Sequence, residues 1–201
     1  MTEQIRAFIA IEMSDAVRSD LSSLQGGLRP HQHPYVKWVD PKGIHLTLKF
    51  LGNIGQNQVA DIEEAISQAS QGVSPFQLQL GGLGAFPNLR RPRVIWVAMT
   101  GELESLLALQ KGIDQALVPL GFAMESRPFT PHLTLGRLRE RASPEECRKI
   151  GELVMASQFE SATAMKVSEV ILMRSRLTPQ GAIYSHIAEI ELTDDLSTSH
   201  L

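Results

Sequence analysis

The tetrapeptide His-Leu-Thr-Leu stands at residues 45–48 and again at 132–135, one copy in each half of a 201-residue chain. Random placement of 6 histidines and a handful of threonines over that length would give, on average, well under one His-x-Thr triplet. Two copies framed by the same leucines therefore restrict the folds open to the chain. In a strand, side chains two apart share a face. His45 and Thr47 should then project together while Leu46 and Leu48 point into a core behind them. His132 and Thr134 should repeat that arrangement.

The segments around the motifs also run in parallel. A strand is predicted over 6–12, with Ser14-Asp15 as the N-cap signal for a helix to about residue 28. Residues 27–34 read as a loop, 36–39 as the approach to the first motif, and Asp40-Pro41-Lys42-Gly43 as turn chemistry. The motif strand is expected over 44–51, stopping at Gly52. Apolar residues spaced by three and four predict an amphipathic helix over 56–71. Residues 76–80 and 94–99 read as strands around a Gly- and Arg-rich loop at 81–93. The order then restarts: a helix from Glu102 to about residue 117, a turn at Gly121, the second motif, and a Ser143-capped helix with Pro144 at its first position. Strands are expected at 166–173 and 183–192, with a loop at 174–181 like the one carrying Arg90, Arg91 and Arg93. Trp96 and Tyr184 follow their respective histidines at nearly the same distance along the chain.

The expected fold is thus α+β: two similar lobes related by a pseudo-two-fold axis, antiparallel sheets facing across a central cleft, helices outside. A single bilobal domain would cover 1–192, its lobes intermixed and following roughly the halves 1–100 and 101–192, with 193–201 as a flexible polar tail.

Composition narrows the function classes. A net charge of −3 argues against a protein that coats nucleic acid through a general basic surface. The clusters Arg90/Arg91/Arg93, Arg137/Arg139/Arg141 and Arg174/Arg176 matter only if they converge on the motif face. No apolar run approaches the roughly 20 residues of a membrane span, and the opening residues lack the apolar core of a signal peptide. No membrane partner is expected. The one cysteine, Cys147, cannot form an internal disulfide, in keeping with a cytoplasmic location.

Two imidazoles facing one another across a groove can supply a proton donor and a proton acceptor near neutral pH. Thr47 and Thr134 would offer hydroxyls to phosphate oxygens, and Arg137 is the candidate to stabilise charge on a phosphorane-like transition state. A metal site fares worse. Zinc generally takes three or four His, Cys or carboxylate ligands, and each motif brings only threonine at i+2, so neither metal nor cofactor is expected. His31 and His33 read as solvated loop residues, and His186 and His200 belong to no constellation. Phe8, Phe50, Phe129, Trp96 and Tyr184 are assigned to the core by default, any of them open to stacking on a base. Gly81-Gly82-Leu83-Gly84 is no phosphate loop, since it neither opens a helix nor precedes Lys-Ser/Thr. It reads as a bend between strands.

The paired motifs, in the contexts GIHLTLKFLGNI and TPHLTLGRL after the opening RAFIAIE, resemble the two-histidine phosphoesterase superfamily, and within it the RNA 2′,3′-cyclic phosphodiesterases once called 2′-5′ RNA ligases. The resemblance spans about residues 5 to 192. It implies metal-independent hydrolysis of RNA 2′,3′-cyclic phosphate ends to 2′-phosphomonoesters, with reversible 2′-5′ ligation as the same chemistry run with a ribose hydroxyl. It also implies His45 as proton donor and His132 as proton acceptor, an order that the near-equivalent halves leave open by themselves. The expected partner is an RNA with a cyclic phosphate end, or a small cyclic nucleotide, acted on by a monomer. Two other readings stand beside it: a non-catalytic RNA-end or nucleotide-binding module, and a phosphodiesterase for small 2′,3′-cyclic or 2′-5′ linked nucleotides.

Overall fold

The computed structural model describes residues 4–29, 34–159, 161–179 and 181–194. His31, His33 and His200 lie outside them, as does the tail from residue 195. Alternating apolar residues make β1 (Gln4–Glu12), whose Ile5, Ala7, Ile9 and Ile11 are buried. The chain enters α1 (Asp15–Leu28) through Ser14, whose hydroxyl accepts the Val17 amide hydrogen. β2 (Val36–Trp38) and a 3-10 turn at Pro41–Gly43 lead into β3 (His45–Gly55), the first motif strand. Then come α2 (Val59–Ser70), β4 (Phe76–Phe86), β5 (Val94–Gly101) and α3 (Leu103–Ala116). The second motif opens β6 (His132–Leu138). α4 (Pro144–Ala156) starts at a capping box in which Ser143 and Glu146 satisfy each other's amides. β7 (Ala164–Val167), β8 (Glu169–Thr178) and β9 (Gly181–Glu191) finish the fold.

The strands form two sheets, ordered β3-β1-β8-β9 and β2-β6-β5-β4-β7, with every pairing within them antiparallel. This is the α+β architecture of two similar lobes. In register, β1 lies against β3 as β5 lies against β6: Ala10 faces Thr47 and Trp96 faces Thr134. The series β1-α1-β3-α2-β4 is thus repeated by β5-α3-β6-α4-β8. The third strand of each series crosses over. β4 joins the sheet of β5 and β6, and β8 joins the sheet of β1 and β3. Each sheet therefore draws strands from both halves of the sequence.

Four local expectations are corrected. β3 does not stop at Gly52 but continues to Gly55. Leu51 is skipped in the pairing with β1, and Gly52 absorbs that bulge at φ 74°. The bend expected at residues 81–84, and the start of the loop that contained it, belong to β4. A bulge at Gly81 and Gly82 keeps the strand in register with β5, and Gly84 lacks the Cβ that would overlap the Trp96 indole. The single strand expected over 166–173 is two strands, because the chain changes sheets at Ser168. The loop expected at 174–181 is the arm of the β8–β9 hairpin, which reaches beyond the core and so lacks a regular apolar alternation.

One contiguous core lies behind both sheets, joining Ile9, Leu21, Leu46, Ile62, Ile95 and Leu133 among others. A smaller cluster, Phe8, Ala10, Ile171 and Met173 with Tyr184 packed on it, covers the opposite face of the four-stranded sheet. That second face carries His45.

Candidate active site

Each motif begins its strand, and each is followed by a bulge at the same place. Leu48 has no partner between the pairs Ala10–Thr47 and Ile9–Lys49, and Leu135 has none between Trp96–Thr134 and Ile95–Gly136. A bulge advances the alternation by one residue. It turns residue 137 to the face of His132 and Thr134, which a regular strand would not do. In β3 the same step buries Lys49 and turns Phe50 outward, 69% exposed. The assignment of Phe50 to the core is corrected accordingly. Arg137 and Phe50 thus hold equivalent positions after identical tetrapeptides.

Two buried glutamines serve these bulges. Gln25 of α1 donates from Nε2 to the carbonyls of Leu135 (2.9 Å) and Val39 (2.8 Å). Gln110 of α3 donates to the Leu48 carbonyl at 3.5 Å, a weaker bond. The helix of each series thus braces the motif strand of the other. Sequence reasoning passed over both, although a glutamine inside the apolar stripe Val17, Leu21, Leu24, Leu28 was a visible anomaly. Lys49 was passed over too. Its ammonium is buried against Asp114 of α3 and also donates to the Ala123 carbonyl at 2.6 Å, while Asp114 accepts the Glu125 amide hydrogen at 2.9 Å. This tie links the first motif strand to the segment that leads into the second.

The imidazoles are held alike. Nδ1 of His45 donates to the Gly43 carbonyl (2.9 Å) and Nδ1 of His132 to the Thr130 carbonyl (2.6 Å), each two residues upstream. A carbonyl can only accept, so each Nδ1 carries hydrogen and Nε2 is the nitrogen that takes up or releases a proton. Neither Nε2, nor the hydroxyls of Thr47 and Thr134, nor the Arg137 guanidinium has a polar partner among the described residues.

Aromatic rings flank both histidines. Phe8 stacks on His45 at 4.6 Å between centroids and Tyr184 meets its edge at 4.9 Å. Phe86 and Trp96 take comparable places at His132, 4.9 and 6.1 Å away. The regular spacing of Trp96 and Tyr184 along the chain now has a meaning. Tyr184, on the strand paired with the crossed-over β8, sits beside the histidine of the other series; at His132 that place is taken by Phe86 of the crossed-over β4, while Trp96 of β5 comes from the same series as the histidine. The packing is complementary: Trp96 lies beside Gly84, and the equivalent Ala10 lies beside Ile171.

A cleft of about 630 Å³ has Tyr184, Gly43 and Ile183 in one wall and Arg137 and Lys37 of the other sheet in the opposite one; of the predicted site residues Arg137 lines it, and His45, Thr47, His132 and Thr134 do not. Burial pushes the His45 imidazole below the ordinary histidine value, while the Gly43 carbonyl and the Glu12 carboxylate act upward. His186, dismissed from sequence, does belong to a constellation: it reaches Glu12 at 3.1 Å and Glu189 at 2.5 Å, and these two carboxylates raise its pKa. Among the described residues, no three His, Cys, Asp or Glu side chains are grouped to hold a metal ion. No helix among them is long and apolar enough to cross a membrane.

Two strand-borne His-x-Thr pairs on two sheets of one bilobal fold define a two-histidine phosphoesterase. The chain belongs to the LigT-like phosphoesterases: that family's model matches it twice, at residues 11–96 and 97–184. It is 36% identical to an RNA 2′,3′-cyclic phosphodiesterase of Methanothermobacter thermautotrophicus, over 94% of this chain and all of that protein. It is 34% identical to the enzyme of the same name from Archaeoglobus fulgidus, over 93% and 100%. In structure it is similar to TT0787 of Thermus thermophilus, with a TM-score of 0.74, 27% identity and coverage of 94% and 98%. Escherichia coli LigT complexed with 3′-AMP shares the fold at the same TM-score and 24% identity, over 95% of this chain and 99% of that one.

Proposed function

We propose that this chain hydrolyses RNA 2′,3′-cyclic phosphodiester ends to 2′-phosphomonoesters by acid-base catalysis between His45 and His132, within one bilobal unit over residues 1–192. The observation that carries the reading is the matched tautomer of the two motif histidines, each with Nδ1 committed to a backbone carbonyl and Nε2 left for proton transfer. Water attacks phosphorus and gives its proton to Nε2 of His132. The bond from phosphorus to the ribose 3′ oxygen breaks as that oxygen takes a proton from Nε2 of His45. Thr47 and Thr134 donate hydroxyl hydrogens to the non-bridging oxygens, and Arg137 stabilises the charge that builds on them. With a ribose 5′-hydroxyl in place of water the same steps would form a 2′-5′ linkage.

Burial works against a proton on His45. A docked phosphodiester anion works the other way, since an opposite charge nearby favours the imidazolium. RNA bearing a cyclic phosphate end is the proposed substrate, with small cyclic nucleotides as minimal ones, acted on by a cytoplasmic monomer without metal or cofactor. The relatives' names support the RNA substrate. Incubation with a 2′,3′-cyclic mononucleotide and a cyclic-phosphate-ended oligoribonucleotide, each with chelator, tests the reading by phosphorus NMR of the products. A 2′-phosphomonoester formed at an unchanged rate is expected. A 3′-phosphate product, or complete loss of turnover with chelator, would overturn it.

A further inference from the structure

The pairing register makes the two halves chemically unequal at one place beside the histidines. Directly across the strand pair from His45 stands Glu12, and directly across from His132 stands Ala98. Residues opposed in this way project from the same face of an antiparallel pair. One imidazole therefore has a carboxylate as its neighbour and its counterpart has a methyl group. Glu12 is also fixed from two other elements. Arg18 of α1 reaches its Oε2 at 3.2 Å and His186 of β9 reaches its Oε1 at 3.1 Å. Asp15, which shares Arg18 at 3.4 Å, and Glu189, which holds the other nitrogen of His186, are the next charged groups in this network.

We propose that Glu12 is the positioning residue that orders the catalytic pair: its carboxylate, braced by Arg18 and His186, draws a proton toward His45 against the effect of burial, an aid that Ala98 cannot give His132. This rests on the acid-base reading above and supplies what the duplicated motif could not, a charged neighbour that one histidine has and the other lacks. It gives His186 a task, because a protonated His186 holds the carboxylate in place without bonding to His45. Burial is the larger effect and leaves the His45 imidazole below its ordinary value, and Glu12, with the Gly43 carbonyl, acts upward against it.

Proton NMR titration of the His45 and His132 ring protons, in the parent and in Glu12→Gln, reads the effect without reference to turnover. The midpoint of His45 should move to lower pH and that of His132 should stay. The alkaline limb of kcat/KM for a 2′,3′-cyclic mononucleotide should move with it, lowering turnover above pH 7 by about threefold to tenfold, with Glu12→Asp restoring most of the loss. Ala98→Glu installs the carboxylate opposite the other motif and should raise the midpoint of His132. An unmoved His45 in Glu12→Gln, equal movement of both histidines, or a rate loss uniform across pH would overturn the proposal. Should Glu12→Gln fail to fold, Ala98→Glu decides, and an unmoved His132 overturns it. A parent protein that does not open cyclic nucleotides would remove the proposed function while leaving the titrations to be read on their own.

Discussion

His45 and His132 share a tautomer and a backbone anchor but differ in what surrounds them, and burial sets the response of His45 to pH. Burial lowers the His45 pKa, so its neutral form is favoured in the folded state. The stability this gives is present above pH 6.5 and is lost as pH falls through the lowered value. His186 has the opposite sign, since its carboxylate partners raise its pKa. Its contribution is full below pH 6.5 and is lost as pH rises through the raised value. Relative to the parent, His186→Gln should therefore lower the melting temperature most at acid pH, and His45→Ala least there. Thermal melts from about pH 5 to 9 check this; two parallel differences, flat in pH, would contradict it. At this scale the motif residues were legible because they repeat. Arg137 was found through its nearness to Thr134 along the chain, yet it reaches the motif face only because Leu135 is bulged. Glu12 and His186 were not legible, because nothing local marks a contact that arises from strand order.

The elements that hold the motifs are joined by buried polar contacts. Asp114→Ala would leave the Lys49 ammonium buried without its partner, which should cost about 3–5 kcal/mol. Gln25→Leu would remove the side-chain donor shared by the Leu135 and Val39 carbonyls, the former keeping the Val39 amide, and should cost about 0.5–1.5 kcal/mol. Urea denaturation measures both, and a cost under a few tenths of a kcal/mol for either would contradict the bracing role. Helix starts were readable from chemistry that acts within four residues, as at Ser14 and Ser143. Strand ends were read less well. A glycine signals a stop as readily as a bulge, and only the partner strand decides, as at Gly52 and Gly81. The sheet change at Ser168 was marked only by a slip in the alternation, from Met165 and Val167 to Val170 and Leu172, which a bulge within one strand would also give.

On the scale of the whole molecule, the crossed third strands bind the two lobes into one structure. β4 completes the sheet of the second motif and β8 that of the first, over a core continuous behind both. Unfolding should then be a single transition, with calorimetric and van't Hoff enthalpies equal. Two resolved transitions would show lobes that stand apart. The duplication announced two similar lobes, but the exchange between them was hidden, because similar strands can be paired within a half or across halves with the same pattern. The exchange also places each motif histidine among aromatic rings from both series.

Single-turnover hydrolysis of a 2′,3′-cyclic nucleotide by the parent, His45→Ala, His132→Ala and the double variant tests the shared site most directly. Each single substitution should slow the reaction by about 10²- to 10⁴-fold with the fold retained, and the double variant should lose little more, since each histidine is of use only with the other. A single variant that keeps the parent rate, or losses that multiply in full, would contradict two histidines acting on one phosphoryl group.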